Sequence, residues 1–176
     1  MRLICLFLLA SAVILTACNN EGEENANYTG REIQYNLLEG SYLETTTSGM
    51  VTIKERLDKS AEIKLVIDGT LNNAQHPVHL HYGNLQDNGL VAEFLNNMED
   101  IGNNRSQSIT HLTQLADGTA ITYDQLVKMN GSIKVHFEED GALKDVILGA
   151  TNIGANYQMA DIGSIKDITV CNSKTE

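Results

Sequence analysis

Two histidines separated by a single residue, His79 and His81, form the pair in this chain best suited to chemistry. They lie in the segment 77–82 (PVHLHY), which reads as a β-strand. Side chains two residues apart on a strand point to the same face of the sheet, so the two imidazoles lie side by side. Because imidazole is a favoured ligand for copper and zinc, this spacing predicts a metal-binding face. Two histidines on a solvated strand face are the alternative.

A third candidate ligand, His136, lies in a second predicted strand. Ile133, Val135 and Phe137 form the apolar face of that strand. Lys134 and His136 therefore lie on the opposite face, where His136 completes a three-histidine site if the two strands are neighbours. Taken alone, His136 also fits a surface histidine. Ligation by neutral imidazole predicts that metal affinity falls below pH about 6.5, the ordinary imidazole pKa.

The remaining chemistry-bearing residues give no catalytic assignment. His76 precedes Pro77, which favours an extended or turn conformation beside the candidate site. His111 is either a fourth ligand or an exposed side chain, and the exposed reading is favoured. The chain has no Gly-x-Ser-x-Gly elbow and no phosphate-cradling glycine loop. No catalytic residue is therefore predicted.

Short strands separated by Gly, Asn and Asp must position these histidines. The segments 50–57 and 61–67 alternate apolar and polar residues and are joined by a short turn, which predicts a hairpin. The segment 122–130 begins with a capping-box pattern and predicts one short helix. The fold class is therefore predicted as all-β, an antiparallel Greek-key β-sandwich of immunoglobulin-like type with one short helix. The other predicted strands are 33–38, 90–95, 106–112 and 144–153.

The N-terminus has the features of an export signal. A short positive start is followed by the apolar run 3–15, which is too short to span a bilayer. Residues 15–18 (LTAC) resemble the lipobox of bacterial lipoproteins, in which the cysteine accepts the lipid. We expect residues 1–17 to be a signal peptide and 18–30 a flexible acidic tether after lipidated Cys18. Residues 31–176 are then the folded domain; an ordinary signal peptide with a chance cysteine is the alternative.

Composition narrows the partners and the compartment. The chain of 176 residues carries a formal net charge of −11, which argues against nucleic acid as a partner. Of its three cysteines, Cys5 leaves with the signal peptide and Cys18 carries the lipid. Only Cys171 remains as a thiol, so the mature chain has no intrachain disulfide. The expected location is the cell envelope, with the lipid anchoring the protein to the outer membrane or the cell surface.

The order of several short motifs resembles the CHRD (chordin-derived) domain group, and more narrowly its bacterial lipoprotein branch. The similarity covers roughly residues 49–156. It implies a lipid-anchored module with a binding or structural role. The motifs that carry it are residues 76–83 (HPVHLHYG), 88–89 (NG), 117–126 (DGTAITYDQL), 133–136 (IKVH) and 152–154 (NIG).

The same residues are similar to copper/zinc superoxide dismutase. His79 and His81 match its His-x-His strand and His136 matches its late strand histidine, which implies a Greek-key sandwich with copper on the outer face. The zinc subsite has no clear match, since only His111 lies between His81 and His136. The disulfide pair is absent, and the arginine that guides superoxide has no clear match. Copper is therefore the expected cofactor, and zinc is not expected.

Three functions remain open at this point. The first is a lipid-anchored, extracytoplasmic module that binds copper through His79, His81 and His136. The second is a non-metal structural or partner-binding sandwich, whose protein or cell-surface partner the sequence does not name. The third and least favoured is a superoxide dismutase. Any enzymatic activity is expected to be weak and copper-dependent.

Overall fold

A computed structural model describes residues 27–40, 46–70, 75–87 and 89–157. The predicted signal peptide, the predicted lipidation site Cys18 and the thiol Cys171 lie outside these residues. The elements, in chain order, are β1 (Tyr28–Glu39), β2 (Ser48–Arg56), β3 (Ala61–Asp68), β4 (His76–Tyr82), β5 (Val91–Gly102), β6 (Arg105–Leu112), α1 (Tyr123–Leu126), β7 (Asn130–His136) and β8 (Ile147–Gly154).

The strands form a closed antiparallel barrel in the order β1-β2-β3-β6-β5-β4-β7-β8. The predicted all-β, antiparallel class with one short helix is confirmed. The long strands β1 and β5 each pair on both sides: β1 with β2 and β8, and β5 with β4 and β6. Closure leaves no unpaired edge among these eight strands, and it makes β4 and β7 neighbours.

Alternating apolar residues build the core. Ile63 and Leu65 on β3 are fully buried, as are Val51 and Ile53 on β2. The two strands pair as the predicted hairpin, with Val51 opposite Leu65 and Ile53 opposite Ile63. Fully burying one such aliphatic side chain stabilises the fold by about 1.5–3 kcal/mol. The same alternation turns Leu80 of β4 and Ile133 of β7 inward, so that His79, His81 and His136 point outward.

Several predicted boundaries differ from the structure. The first strand begins at Tyr28, so the last three residues of the predicted tether are in the sheet. Strand β5 runs to Gly102 rather than ending at residue 95, because its second half pairs with β6. The helix has the predicted capping box, between Thr122 and Gln125, but it ends at Leu126 because the chain enters β7 four residues later.

None of the helices among the described residues has the length and apolar character needed to cross a bilayer.

Candidate metal centre

The candidate site lies on the outer face of strands β4 and β7. In their antiparallel register His79 is opposite Lys134, and His81 is opposite Ser132. The alternate residues Leu80 and Ile133 are completely buried in the core. Because successive side chains alternate between faces, His79, His81 and His136 lie on the side opposite the core.

The structure brings together all three histidines predicted as metal ligands. One ligand nitrogen from each of His79, His81 and His136 lies within 4.8 Å of the other two. The ring centres of His79 and His136 are 4.6 Å apart, and those of His79 and His81 are 5.9 Å apart. Nitrogens that share one metal ion lie roughly 3–4 Å apart, so small side-chain rotations are enough to bring them onto a common ion.

Backbone carbonyls orient two of the three rings. His81 Nδ1 lies 2.9 Å from the carbonyl oxygen of Gly89, and His136 Nδ1 lies 3.3 Å from that of Lys144. A carbonyl oxygen only accepts hydrogen bonds, so each Nδ1 carries the proton and donates it. Nε2 is then the unprotonated nitrogen of each ring. This pattern, in which the second ring nitrogen is held by a carbonyl, is usual for metal-binding histidine.

His79 is the third imidazole of the cluster. Its Nδ1 is buried and has no hydrogen-bond partner among the described residues. A buried polar atom without a partner costs free energy, and coordination to a metal removes that cost. The edge of the Phe94 ring lies against His79, with ring centres 5.0 Å apart and an angle of 82° between the planes. This contact fixes the ring plane of His79, so the residues present fit a three-histidine site.

Burial keeps the three imidazoles neutral. It lowers the pKa of His79 to about 3, with further lowering by repulsion from His136 and His81. Burial lowers the pKa of His81 to about 4 against the opposing effect of the Gly89 carbonyl. Burial also lowers the pKa of His136. Neutral imidazole is the form that binds metals, and these rings stay neutral below pH 6.5.

A loop after β4 covers part of this outer face. Leu85 is 1% exposed and packs with Ile147 and Ala150 in a small second core. Its backbone N–H donates to the side-chain oxygen of Asn152 at 2.8 Å. Further along this loop Gly89 lies so close to strand β4 that an added Cβ would be 1.6 Å from the Tyr82 carbonyl oxygen. Only glycine fits there, and this close approach lets its carbonyl reach His81.

An open cavity of about 430 Å³ lies beside the cluster. It is lined by His79 and His136, by Phe94, and by charged side chains that include Glu138 and Lys144. Phe94 is 52% exposed, which is high for an aromatic ring of this size. A small solute entering the cavity therefore meets two of the three candidate ligands, an apolar ring and charges of both signs.

The other two histidines lie elsewhere. His76 is the first residue of β4 and is completely buried, with its Nδ1 2.6 Å from the Phe137 carbonyl oxygen. The expected extended conformation before Pro77 is confirmed, and the strand starts one residue earlier than expected. His111 lies on β6, which does not pair with β4. Its Nε2 contacts Ser60 Oγ at 2.7 Å, and its side chain is 43% exposed. His111 therefore fits the interpretation as an exposed side chain and not the interpretation as a fourth ligand.

Sequence reasoning missed the residues that enclose the histidines. Lys134 is placed on the outer face by its alternation with His136, but its burial was not predicted. Gly89 and Lys144 act through backbone carbonyls, which leave no signature in residue type. Phe94 sits directly opposite His79 on β5, and a strand-pairing argument could have found it.

No protein family model, curated protein or solved structure matches this chain.

Proposed function

We propose that this protein is a lipid-anchored, extracytoplasmic CHRD-like module that binds copper through His79, His81 and His136. The observation that carries the proposal is the convergence of three neutral imidazoles on one point, with the buried Nδ1 of His79 otherwise without a partner among the described residues. An all-nitrogen ligand set of this kind suits copper.

The barrel topology supports the likeness to the Greek-key sandwich of the dismutases. Strand β3 lies beside β6 rather than beside β4, so the chain crosses from one side of the barrel to the other between β3 and β4. This is the connection that defines a Greek key. The long strands β1 and β5 are shared between two halves, as in a flattened barrel.

Copper titration of the full chain tests the proposed function. Wild type is compared with the triple variant His79→Ala, His81→Ala, His136→Ala, and His111→Ala serves as the matched control. We expect one copper per chain that is lost in the triple variant and retained in the control. The thiols of the full chain are the same in all three proteins, so they do not affect the comparison. Equal copper binding by wild type and the triple variant would reject the site.

The lipid anchor has a separate test. Cells that express the chain are fed a radiolabelled fatty acid, and the protein is examined for covalent label. Wild type is expected to carry label, and Cys18→Ala is expected to carry none. Label that persists in the variant would reject Cys18 as the attachment point.

Redox activity follows from the same site. A bound copper ion supplies one-electron chemistry, and the cavity beside His79 and His136 gives small solutes access to that side of the cluster. A superoxide dismutase assay on copper-loaded protein tests this reading. Activity no higher than that of the triple variant would leave binding as the function.

A further inference from the structure

The open cavity beside the three histidines has the size of a site for a small organic molecule. Its volume of about 430 Å³ lies within the range of natural small-molecule sites, roughly 300–1,000 Å³. Strands β4, β5 and β7 and the loop between β7 and β8 contribute its lining. The chemistry of that lining indicates which class of molecule would fit.

Part of the lining is apolar. Pro77, Phe94 and Leu95 contribute to it, and Phe94 is 52% exposed. The Phe94 ring packs against His79, with ring centres 5.0 Å apart, so a contact within the protein holds it in place. Covering an exposed aromatic ring in a concave site removes apolar surface from water, which favours a ligand with an apolar body.

The charged part of the lining has a negative net charge. It consists of three acidic residues, Glu138, Glu139 and Asp140, and a single lysine, Lys144. The side chain of Glu138 accepts the backbone N–H of Leu143 at 2.6 Å, which fixes the loop, while Glu139 and Asp140 are exposed. A lining with this balance attracts cations and repels anions.

We propose that this cavity binds small organic amines, molecules with an apolar and preferably aromatic body and a protonated amino group. The apolar body packs against Phe94, and the ammonium group lies towards Glu139 and Asp140. This inference goes beyond the proposed metal-binding function and does not depend on it, because the contacts need no bound ion. The same net charge disfavours anionic solutes, superoxide among them.

Three probes that share a phenyl ring on a two-carbon chain test the proposal on the full chain. They are phenethylamine, a cation; phenethyl alcohol, which is neutral; and phenylpropionate, an anion. Each is titrated at neutral pH and low salt with a chelator present, and binding is followed by NMR through the amide signals of Leu95 and Asn97. The amine is expected to bind about tenfold or more tightly than the carboxylate, with the alcohol between them. Added salt is expected to narrow this difference.

Charge variants locate the source of the preference. The double variant Glu139→Gln, Asp140→Asn leaves one carboxylate and one lysine in the lining. It is expected to lower the amine affinity by about threefold or more and to abolish the preference over the carboxylate. The control Glu32→Gln, Asp68→Asn removes the same charge from exposed residues on β1 and β3, which do not line the cavity. This control is expected to keep the wild-type preference.

Substitution of Phe94 tests the apolar contact separately. Phe94→Ala is expected to weaken binding of all three probes by about two- to tenfold, because the aromatic contact is lost. Ile33→Ala, at an exposed apolar residue on β1, is the control and is expected to leave the affinities unchanged. If Phe94→Ala does not fold, as judged by circular dichroism, Phe94→Leu replaces it in the same titrations.

Three results would overturn the proposal. The first is an amine that does not bind at millimolar concentration or binds no more tightly than the carboxylate. The second is a preference for the amine that the Glu139 and Asp140 double variant leaves unchanged, and the third is an affinity that does not fall when Phe94 is replaced. None of these results bears on copper binding, which the triple histidine variant tests.

Discussion

Acidification of the metal-free protein should weaken the fold in a pH range set by the buried histidines. The folded-state pKa values of His79 and His81 are about 3 and about 4, whereas imidazole in an unfolded chain titrates near 6.5. Between these values the unfolded chain holds protons that the folded chain does not. The free energy of unfolding therefore falls as the pH is lowered from 6.5 towards 4.

The size of the effect follows from the number of protons taken up. Each histidine contributes at most about 1.4 kcal/mol per pH unit, so His79 and His81 together contribute at most about 3 kcal/mol per unit. The partial exposure of His79 reduces its share. The carboxyls of Asp58 and Asp124 also have lowered pKa values, through hydrogen bonds from Ser60 and Arg31, and their contribution to stability is lost only below about pH 5, where carboxyls in the unfolded chain begin to take up protons. The range from pH 6.5 to 5 thus reports the histidines.

Urea unfolding at closely spaced pH values, with a chelator present, measures this slope. His81→Gln is expected to reduce the slope between pH 6 and 5 by about 1 kcal/mol per pH unit. His111→Gln changes an exposed histidine and is the control, with a slope expected to match wild type. The reasoning is refuted if wild type and His81→Gln lose stability equally over this range.

Two further substitutions test the packing around the cluster. Gly89→Ala should destabilise the protein by about 2 kcal/mol or more, because its new methyl would overlap the Tyr82 carbonyl. Gly149→Ala is the control and should be tolerated, because the nearest atoms to its new methyl lie at ordinary contact distances of 3.5 Å and above. Thermal unfolding compares the pair, and equal melting temperatures would contradict the close fit at Gly89. Ser132→Ala should be neutral or stabilising by up to about 1 kcal/mol, because the hydroxyl of this fully buried serine has no partner among the described residues. A urea midpoint clearly below that of wild type would contradict this prediction.

The sequence alone was enough to predict where most strands lie and on which face of the sheet their residues fall. Alternation in β3, β4 and β7 separates a core side from an outer side, and His79, His81 and His136 fall together on the outer side. That separation depends only on the two-residue period of a strand, which is local. The pairing of β4 with β7 was a condition of the prediction and not its result, because it depends on barrel closure across many residues.

The enclosure of the site could not be predicted in the same way. Lys134 and His136 lie on the outer face of the sheet and are buried, although the alternation of residues along the strand alone predicts that this face is solvated. A loop that carries Leu85 packs against Ile147 on β8, and the two residues are far apart in the sequence. This contact has no local pattern, so the burial of the outer face, and the lowered histidine pKa values that follow, emerge only from the folded structure.

X-ray absorption spectroscopy of the copper-loaded full chain is the most direct test of the three-histidine centre, because it counts imidazole ligands in either oxidation state. Wild type is expected to show three imidazoles per copper, His136→Ala two, and the control His111→Ala three. A spectrum dominated by sulfur, or an imidazole count that His136→Ala leaves unchanged, would contradict the convergence of His79, His81 and His136 on one ion.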